Sequence, residues 1–564
     1  MRAARRALLS ASAAVLVVAL TACGGLPVSG PVNAGKPIPE SEADGGLVFI
    51  PREPIKDATP EQIVEGFIAA GSGPSENWST AREFLAADIR TQWNPRAGVT
   101  VYRAGERTLR QVAAGDYALT VTPSATVDAA GEMTVSGDAG DISLSFTLAQ
   151  QADGQWRITQ APDGIVLDEG RFTAVYGSYA LQFFDPTWTY LVPDQRWFPK
   201  QYAATSIAEG LVDGGPGAWL EGAVSTAFVD GARLAQVAVP VRSNVAAVSL
   251  QDGARALGRE VLDRMQTQLE TSLAAAGIDA VDMLVDDQPL AAEAISVRTT
   301  RVDSRPLVRT DDAFGFISGG SGSSIEEIPG LSDALVPIDA VDIEVNADRT
   351  AAAVRSADGA VSVVGSDGTV RRVDIRAPLV APSIDLQGYV WSVPAGAPGA
   401  VVAFALDGTQ VAVADAWPGA AEISAQRVSR DGTRVAAVVR DGGRWALWVA
   451  AILRSREGVP TGLGTGRMLG VLAGPAVALT WLDGSTLAAV TSAGGDPVLF
   501  SQSVGGFGET ERTPDAVTSA AGGLQSGGVR LRDANGALYA QRGANWQNFA
   551  SGVRVLAVQQ GSPR

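Results

Sequence analysis

Histidine is absent from the 564 residues, and that absence excludes more chemistry than any motif present. No Ser-His-Asp triad, Cys-His dyad, His-ligated zinc or imidazole switch can be assembled without it. Cysteine occurs once, as Cys23, so a disulfide framework and thiolate metal clusters are excluded as well. Lysine is reduced to Lys36, Lys56 and Lys200, and the formal net charge is −17. Nucleic acid is therefore not expected as a partner, because its phosphates need dense Lys/Arg clusters. No nucleotide loop, EF-hand loop or strand–G-x-S-x-G–helix elbow occurs. What remains for catalysis is a carboxylate pair, a Ser–Lys pair or a carboxylate-held metal. The 61 acids leave a glycosidase-type pair open. So many acids also approach one another by chance on a solvated surface. The expectation is a binding protein with no enzymatic activity, no cofactor and no metal.

The N-terminus carries what the rest lacks. Arg2, Arg5 and Arg6 precede an apolar stretch from Ala7 to Ala22, the order of an export signal. That stretch is short for a bilayer span of about 20 residues, and no later apolar run reaches 18. Leu20-Thr21-Ala22-Cys23 resembles the bacterial lipobox, in which the cysteine sulfur is acylated and becomes the first mature residue. An ordinary secretory signal followed by a buried cysteine is the plainer alternative. Acylation at Cys23 implies a lipid bilayer as partner, with everything beyond it on the extracytoplasmic face, since two or more acyl chains anchor stably. The scarce lysine beside abundant Ala, Gly and Arg suggests a GC-rich, actinobacterial source. Residues 1–22 are read as signal peptide, and 23–57, rich in Pro and Gly, as a lipidated flexible stalk.

The expected fold is multidomain α+β followed by all-β. Thr59-Pro60-Glu61-Gln62 opens a helix with Ile63, Val64, Phe67 and Ile68 on one face. Residues 78–93 read as a second helix. Alternating segments at 99–102, 117–121, 142–148 and 156–158 read as about four strands. This order makes 58–170 an α+β domain resembling the cone-shaped NTF2-like folds. In 171–303, strands are expected at 180–184, 189–192, 233–237, 245–250 and 278–285. A short helix spans 205–212, and a long one runs from Leu257 to a stop at Gly277.

Three phrases in that block, LVPDQRWFP (191–199), EGLVDGGPGAWLEGAV (209–224) and AAAGIDAVDMLVDDQPL (274–290), look like the sporulation-and-germination, or GerMN, module. With the lipobox and the C-terminal half, the chain resembles the actinobacterial LpqB lipoprotein family. The resemblance implies a GerMN-like α/β domain. It also implies an accessory role toward the extracellular domain of a membrane sensor histidine kinase of the MtrB type, affecting envelope and cell division. It carries over no catalytic residue.

The remainder, 304–564, is rich in short alternating strands. Asp348-Arg-Thr350, Asp431-Gly-Thr433, Asp483-Gly-Ser485 and a fainter Asp533-Ala-Asn-Gly536 each precede an apolar strand. The steps are 83, 52 and 50 residues, the first about two units. Units of ~40–50 residues are propeller blades, and the length accommodates about six. An irregular all-β sandwich is the alternative. Aromatics concentrate at Phe183, Phe184, Trp188, Tyr190, Trp197 and Phe198. Trp188, Arg196 and Trp197 are the residues of this cluster suited to an interface hot spot; the alternative is that they fill the core. A second functional reading, a binder of cell-wall glycan, rests on the same binding-type modules.

Overall fold

The computed structural model of the chain describes residues 51–137, 140–229, 232–318, 324–492, 495–524, 528–543 and 545–563. Cys23, the export segment and most of the expected stalk lie outside them. The first helix, α1 (Pro60–Ala70), starts where its cap dictates. The Thr59 hydroxyl accepts from the Gln62 N–H while the Gln62 side chain accepts from the Thr59 N–H. Ile63, Val64, Phe67 and Ile68 bury the face read from the sequence.

The second helix is shorter than expected. α2 (Ser75–Glu83) begins in a left-handed turn, with φ of 48, 55 and 58° at Glu76, Asn77 and Trp78. Past Glu83 the backbone pairs elsewhere: Ile158 N–H donates to Phe84 C=O at 3.0 Å and Ala86 N–H to Ile158 C=O at 2.8 Å. A strand edge captures groups that a longer helix would have bonded internally.

That strand is β5 (Trp156–Gln160), at the edge of a sheet with β1 (Gly98–Ala113), β2 (Asp116–Asp128), β3 (Met133–Val135), β4 (Ile142–Gln150) and β6 (Ile165–Asp168). The order is β5-β4-β2-β1-β6, with β3 on β2. The four expected strands are β1, β2, β4 and β5; β6 joins parallel to β1. A short helix, α3 (Glu169–Val175), capped by Asp168, leads out.

The second module opens with the antiparallel pair β7 (Tyr176–Phe184) and β8 (Leu191–Pro199). α4 (Ala203–Glu209) follows and runs into a π-turn at Gly210–Gly214. Then come β9 (Val241–Arg242), β10 (Val245–Ser249), α5 (Arg259–Leu273), β11 (Ala280–Val285) and β12 (Gln288–Pro289). β10 and β11 are parallel, as the crossover through α5 requires. α5 is apolar on one side and stitched on another: Gln268 donates to Gln182 C=O, and Ser272 accepts from Gln182 N–H. It ends before Gly277, which takes φ 73°. The strand expected at 233–237 does not form; only Leu234 bridges Leu250, leaving that segment as a loop over β10.

Over the described residues the C-terminal half is a propeller of six blades, five of four strands and one of five. Five follow in sequence, within 340–374, 383–412, 422–472 (with a fifth strand), 476–512 and 517–550. The remaining blade is composite. Strands Leu307–Arg309, Phe314–Ile317 and Ile325–Glu327 take their inner partner from the far end of the chain, Val555–Gln559. This strand also runs parallel to Ala340–Val345 of the next blade. The ring is thus closed by hydrogen bonds between segments ~250 residues apart.

The repeat phrases are hairpin turns. At 429–434 the buried Asp431 accepts from Ser429 Oγ at 2.7 Å, from Thr433 N–H at 3.0 Å and from Arg434. Burial opposes its ionisation, but Arg434 and the hydroxyl donors hold its pKa below the usual value. Two details differ from expectation. In the first copy Asn346, not Asp348, accepts the turn N–H groups, from Thr350 and Ala351. The faint copy at Asp533 closes the second hairpin of its blade, one strand farther out than the others.

An arginine ties three blades together near the axis, beside a cavity of about 390 Å³ lined by the inner strands. Arg430 donates to the carbonyls of Gln559, Trp481 and Gly522, from three different blades, at 2.8–3.2 Å. Burial pulls its pKa down to about 10. Beside it Arg427 pairs with the buried Glu344 at 2.8 Å.

Candidate functional site

The first two modules meet in a cleft of about 660 Å³. Its walls come from Trp78, from the start of β1, from the β2–β3 hairpin 127–132, from the end of β8 and from the stretch 202–218. Each wall has a local cause. Asp128 Oδ1 accepts from Ala130 and Glu132 N–H at 2.9 and 2.8 Å, which tightens the hairpin tip. Gly131, at φ 82°, lets the tip reach β8: a Cβ there would stand 2.7 Å from Phe198 Cε1, and its carbonyl accepts from Trp197 N–H at 2.8 Å. At Gly217 a Cβ would meet Glu132 Oε1 at 2.7 Å, a carboxylate end that would have to swing aside. A π-turn such as Gly210–Gly214 is rare and concentrates at functional sites.

A charge network floors the cleft. Arg196 donates to the fully buried Asp194 through Nε and Nη2, at 3.2 and 2.6 Å, and to Ala130 C=O at 2.9 Å. Asp194 also accepts from Gly217 N–H at 2.8 Å and Trp219 Nε1 at 3.3 Å. Burial works against the Arg196 charge, yet Asp194 keeps its pKa above the ordinary value. Glu132 lies 3.5 Å from Arg196 and 3.7 Å from Arg467 of the propeller. Burial raises its pKa, against the opposing pull of Arg196. The propeller is fastened to the same point. Arg467 donates to Met133 C=O, and Trp197 Nε1 donates to Gly505 C=O at 2.8 Å. Phe507 packs edge-on against Phe172 and Trp197. Trp219 and Leu220 join a core with blade residues such as Leu447 and Leu479.

Of the residues singled out in the sequence, Arg196 and Trp197 come together at this cleft. Trp188 does not. It sits at φ 59° on the β7–β8 turn, its ring 5.0 Å from Phe184 and under the Arg264 guanidinium at 4.1 Å. Phe183, Phe184 and Tyr190 belong to the core, and Arg196 is only 3% exposed. The reactive-looking part of the rim is instead Arg96, Tyr202, Glu209 and Asp213, which sequence reasoning missed. The run Asp213-Gly-Gly-Pro-Gly217 was the available signal, since glycines at that density mark close backbone approach. Among the described residues, no three or more His, Cys, Asp or Glu side chains converge to hold a metal. None of the described helices is long and apolar enough to cross a membrane.

Family models match each module in turn. The lipoprotein LpqB N-terminal domain matches residues 53–173, a model described as sporulation and spore germination 180–291, and the lipoprotein LpqB beta-propeller domain 315–556. Lipoprotein LpqB of Bifidobacterium longum is 27% identical over 486 residues, covering 82% of each chain. Lipoprotein LpqB of Streptomyces avermitilis is 27% identical over 509 residues, covering 80% of each. Among solved structures, a chain of a nidogen/laminin complex is 9% identical with a TM-score of 0.33, covering 45% of this chain and 97% of that one. The beta-propeller domain of Cps50 (Swd1) from Myceliophteria thermophila is 13% identical with a TM-score of 0.25, covering 36% and 65%. The three modules in this order define a multidomain bacterial lipoprotein whose third module is a propeller. The chain belongs to the LpqB lipoprotein family.

Proposed function

We propose that the chain is a lipid-anchored envelope protein that binds the extracellular domain of a membrane sensor histidine kinase, of the MtrB type, and acts as its accessory regulator. The observation that supports this most is the cleft: an open, aromatic-and-charge-lined groove held rigid by contacts from all three modules. Preorganised grooves at domain junctions are where partners and ligands bind. Acylation of Cys23 would place protein and kinase in one membrane, where high effective concentration lets a weak interface suffice. The exposed rim residues Arg96, Glu209 and Asp213 would supply the polar contacts.

The soluble Cys23→Ala form should bind the purified kinase ectodomain, and an Arg96→Ala, Glu209→Ala double variant should bind it at least about tenfold more weakly, the scale of one lost charge-assisted contact. In cells, Cys23→Ala should leave the membrane fraction and lose regulation. No binding to any sensor ectodomain would defeat the reading, as would equal signalling by anchored and released forms at matched abundance.

A further inference from the structure

A second cavity, of about 480 Å³, lies in the propeller and shares no lining residue with the cleft. It opens where the chain passes from the second of the five sequential blades, ending at Ala412, to the third, beginning at Glu422. Its floor is apolar and small: Ala420, Val439, Ala450 and Leu463, with Gly464 and Gly466 keeping it low. Two tryptophans line it, Trp417 and the half-exposed Trp448. The two carboxylates of the lining, Asp415 and Asp441, are both exposed, and no Lys or Arg contributes.

Three features go beyond what folding requires. Asp415 and Trp417 sit at φ 55 and 43°, two left-handed non-glycine residues within three positions. Each costs of order 1–3 kcal/mol, and such residues gather at ligand clamps. The indole N–H groups of both tryptophans are buried without an acceptor, when buried donors of native proteins are nearly always satisfied. Finally, aromatic surface and acceptor-only carboxylates occur together in a lining that holds no Lys or Arg.

We infer that this cavity is a carbohydrate-binding site for a neutral saccharide. A sugar ring offers an apolar C–H face for the tryptophans and hydroxyl donors for the two carboxylates. Its hydroxyl or acetamide oxygens are acceptors that an indole N–H can use once the half-exposed Trp448 ring adjusts. The missing basic residue sets the selectivity: phosphorylated and uronic acid sugars are disfavoured beside two aspartates. The site is independent of the kinase reading, because it shares no residue with the cleft.

Tryptophan fluorescence of the soluble Cys23→Ala chain, titrated with the β-1,4 tetramer of N-acetylglucosamine and with short arabinan and galactan oligosaccharides, tests it. At least one neutral oligosaccharide should give a saturable change. Asp415→Asn with Asp441→Asn should weaken it at least about tenfold, the loss of charge-assisted hydrogen bonds. Asparagine tolerates the left-handed backbone at 415, so this variant keeps the loop. Trp448→Phe, which keeps the apolar ring and removes the N–H, should weaken binding less. Calorimetry repeats the titration where the fluorescence of the other tryptophans masks the signal. The assignment fails if no neutral saccharide binds, if binding survives the double Asn variant unchanged, or if only a tetramethylammonium probe binds, which would make the cavity a cation cage.

Discussion

Arg196→Met separates a structural arginine from a surface one. The side chain is 3% exposed and its partner Asp194 is fully buried. Removing the guanidinium leaves a carboxylate in the interior with two remaining donors, Gly217 N–H and Trp219 Nε1. Breaking a buried pair this way costs about 3–5 kcal/mol. The surviving donors place Asp194 toward the lower end, and the Ala130 carbonyl, losing its donor, adds about 1 kcal/mol. The expected loss is therefore about 3–4 kcal/mol, concentrated where the hairpin 127–132 docks on β8. A chain of several modules does not unfold in one step, so the assay must be local. Hydrogen exchange should accelerate at 128–133 and 217–220 and stay unchanged in the outer blades. Adding Asp194→Asn removes the orphaned charge, and its amide oxygen, turned to where Oδ2 stood, still accepts from Gly217, so the double variant should recover at least half of the loss. A single variant losing under about 1 kcal/mol, the range of exposed pairs, would refute the account. So would a double variant less stable than the single one.

Glu132 gives a pH dependence of defined sign. Burial raises its folded pKa, so between the usual glutamate value of about 4.3 and that raised value the folded chain holds more protons, and stability falls as pH rises. Glu132→Gln should flatten this stretch of the curve of local opening free energy, read by hydrogen exchange at 128–133 with the intrinsic pH dependence removed, match the parent near pH 4 and equal or exceed it at pH 7; an unchanged slope would contradict the assignment. Deleting 555–563 removes the inner strand of the composite blade and both its pairings, so the propeller should lose its cooperative thermal transition. A retained midpoint by circular dichroism would show that the ring closes elsewhere.

Much of the architecture was legible because the signals were local. The capping box at Thr59, the face of α5 and its stop at Gly277 each depend on neighbours within a turn or two. The blade period was legible because the turn at Asp431 needs its acceptor at a fixed offset. The failures came where distant backbone decided. Residues 84–93 carry helical periodicity, but the edge of β5 takes Phe84 C=O and Ala86 N–H, and the rest closes only isolated turns. Asp533 imitates the repeat in a different hairpin because any Asp-x-x-Gly turn places an acceptor alike. Arg196 and Trp197 stood out in the sequence for the aromatics around them. Their role at the cleft depends on Gly131 and Glu132, some 65 residues earlier, with which they share no sequence pattern.

The composite blade also sets the order in which the exported chain can finish folding. Leu307–Arg309 reaches the far side of the membrane ~250 residues ahead of Val555–Gln559. Until its partner follows, the strand shows one unpaired edge, a template on which a neighbouring chain could add a strand. The closing strand therefore acts as a built-in guard against aggregation, and a chain truncated before it keeps that edge open.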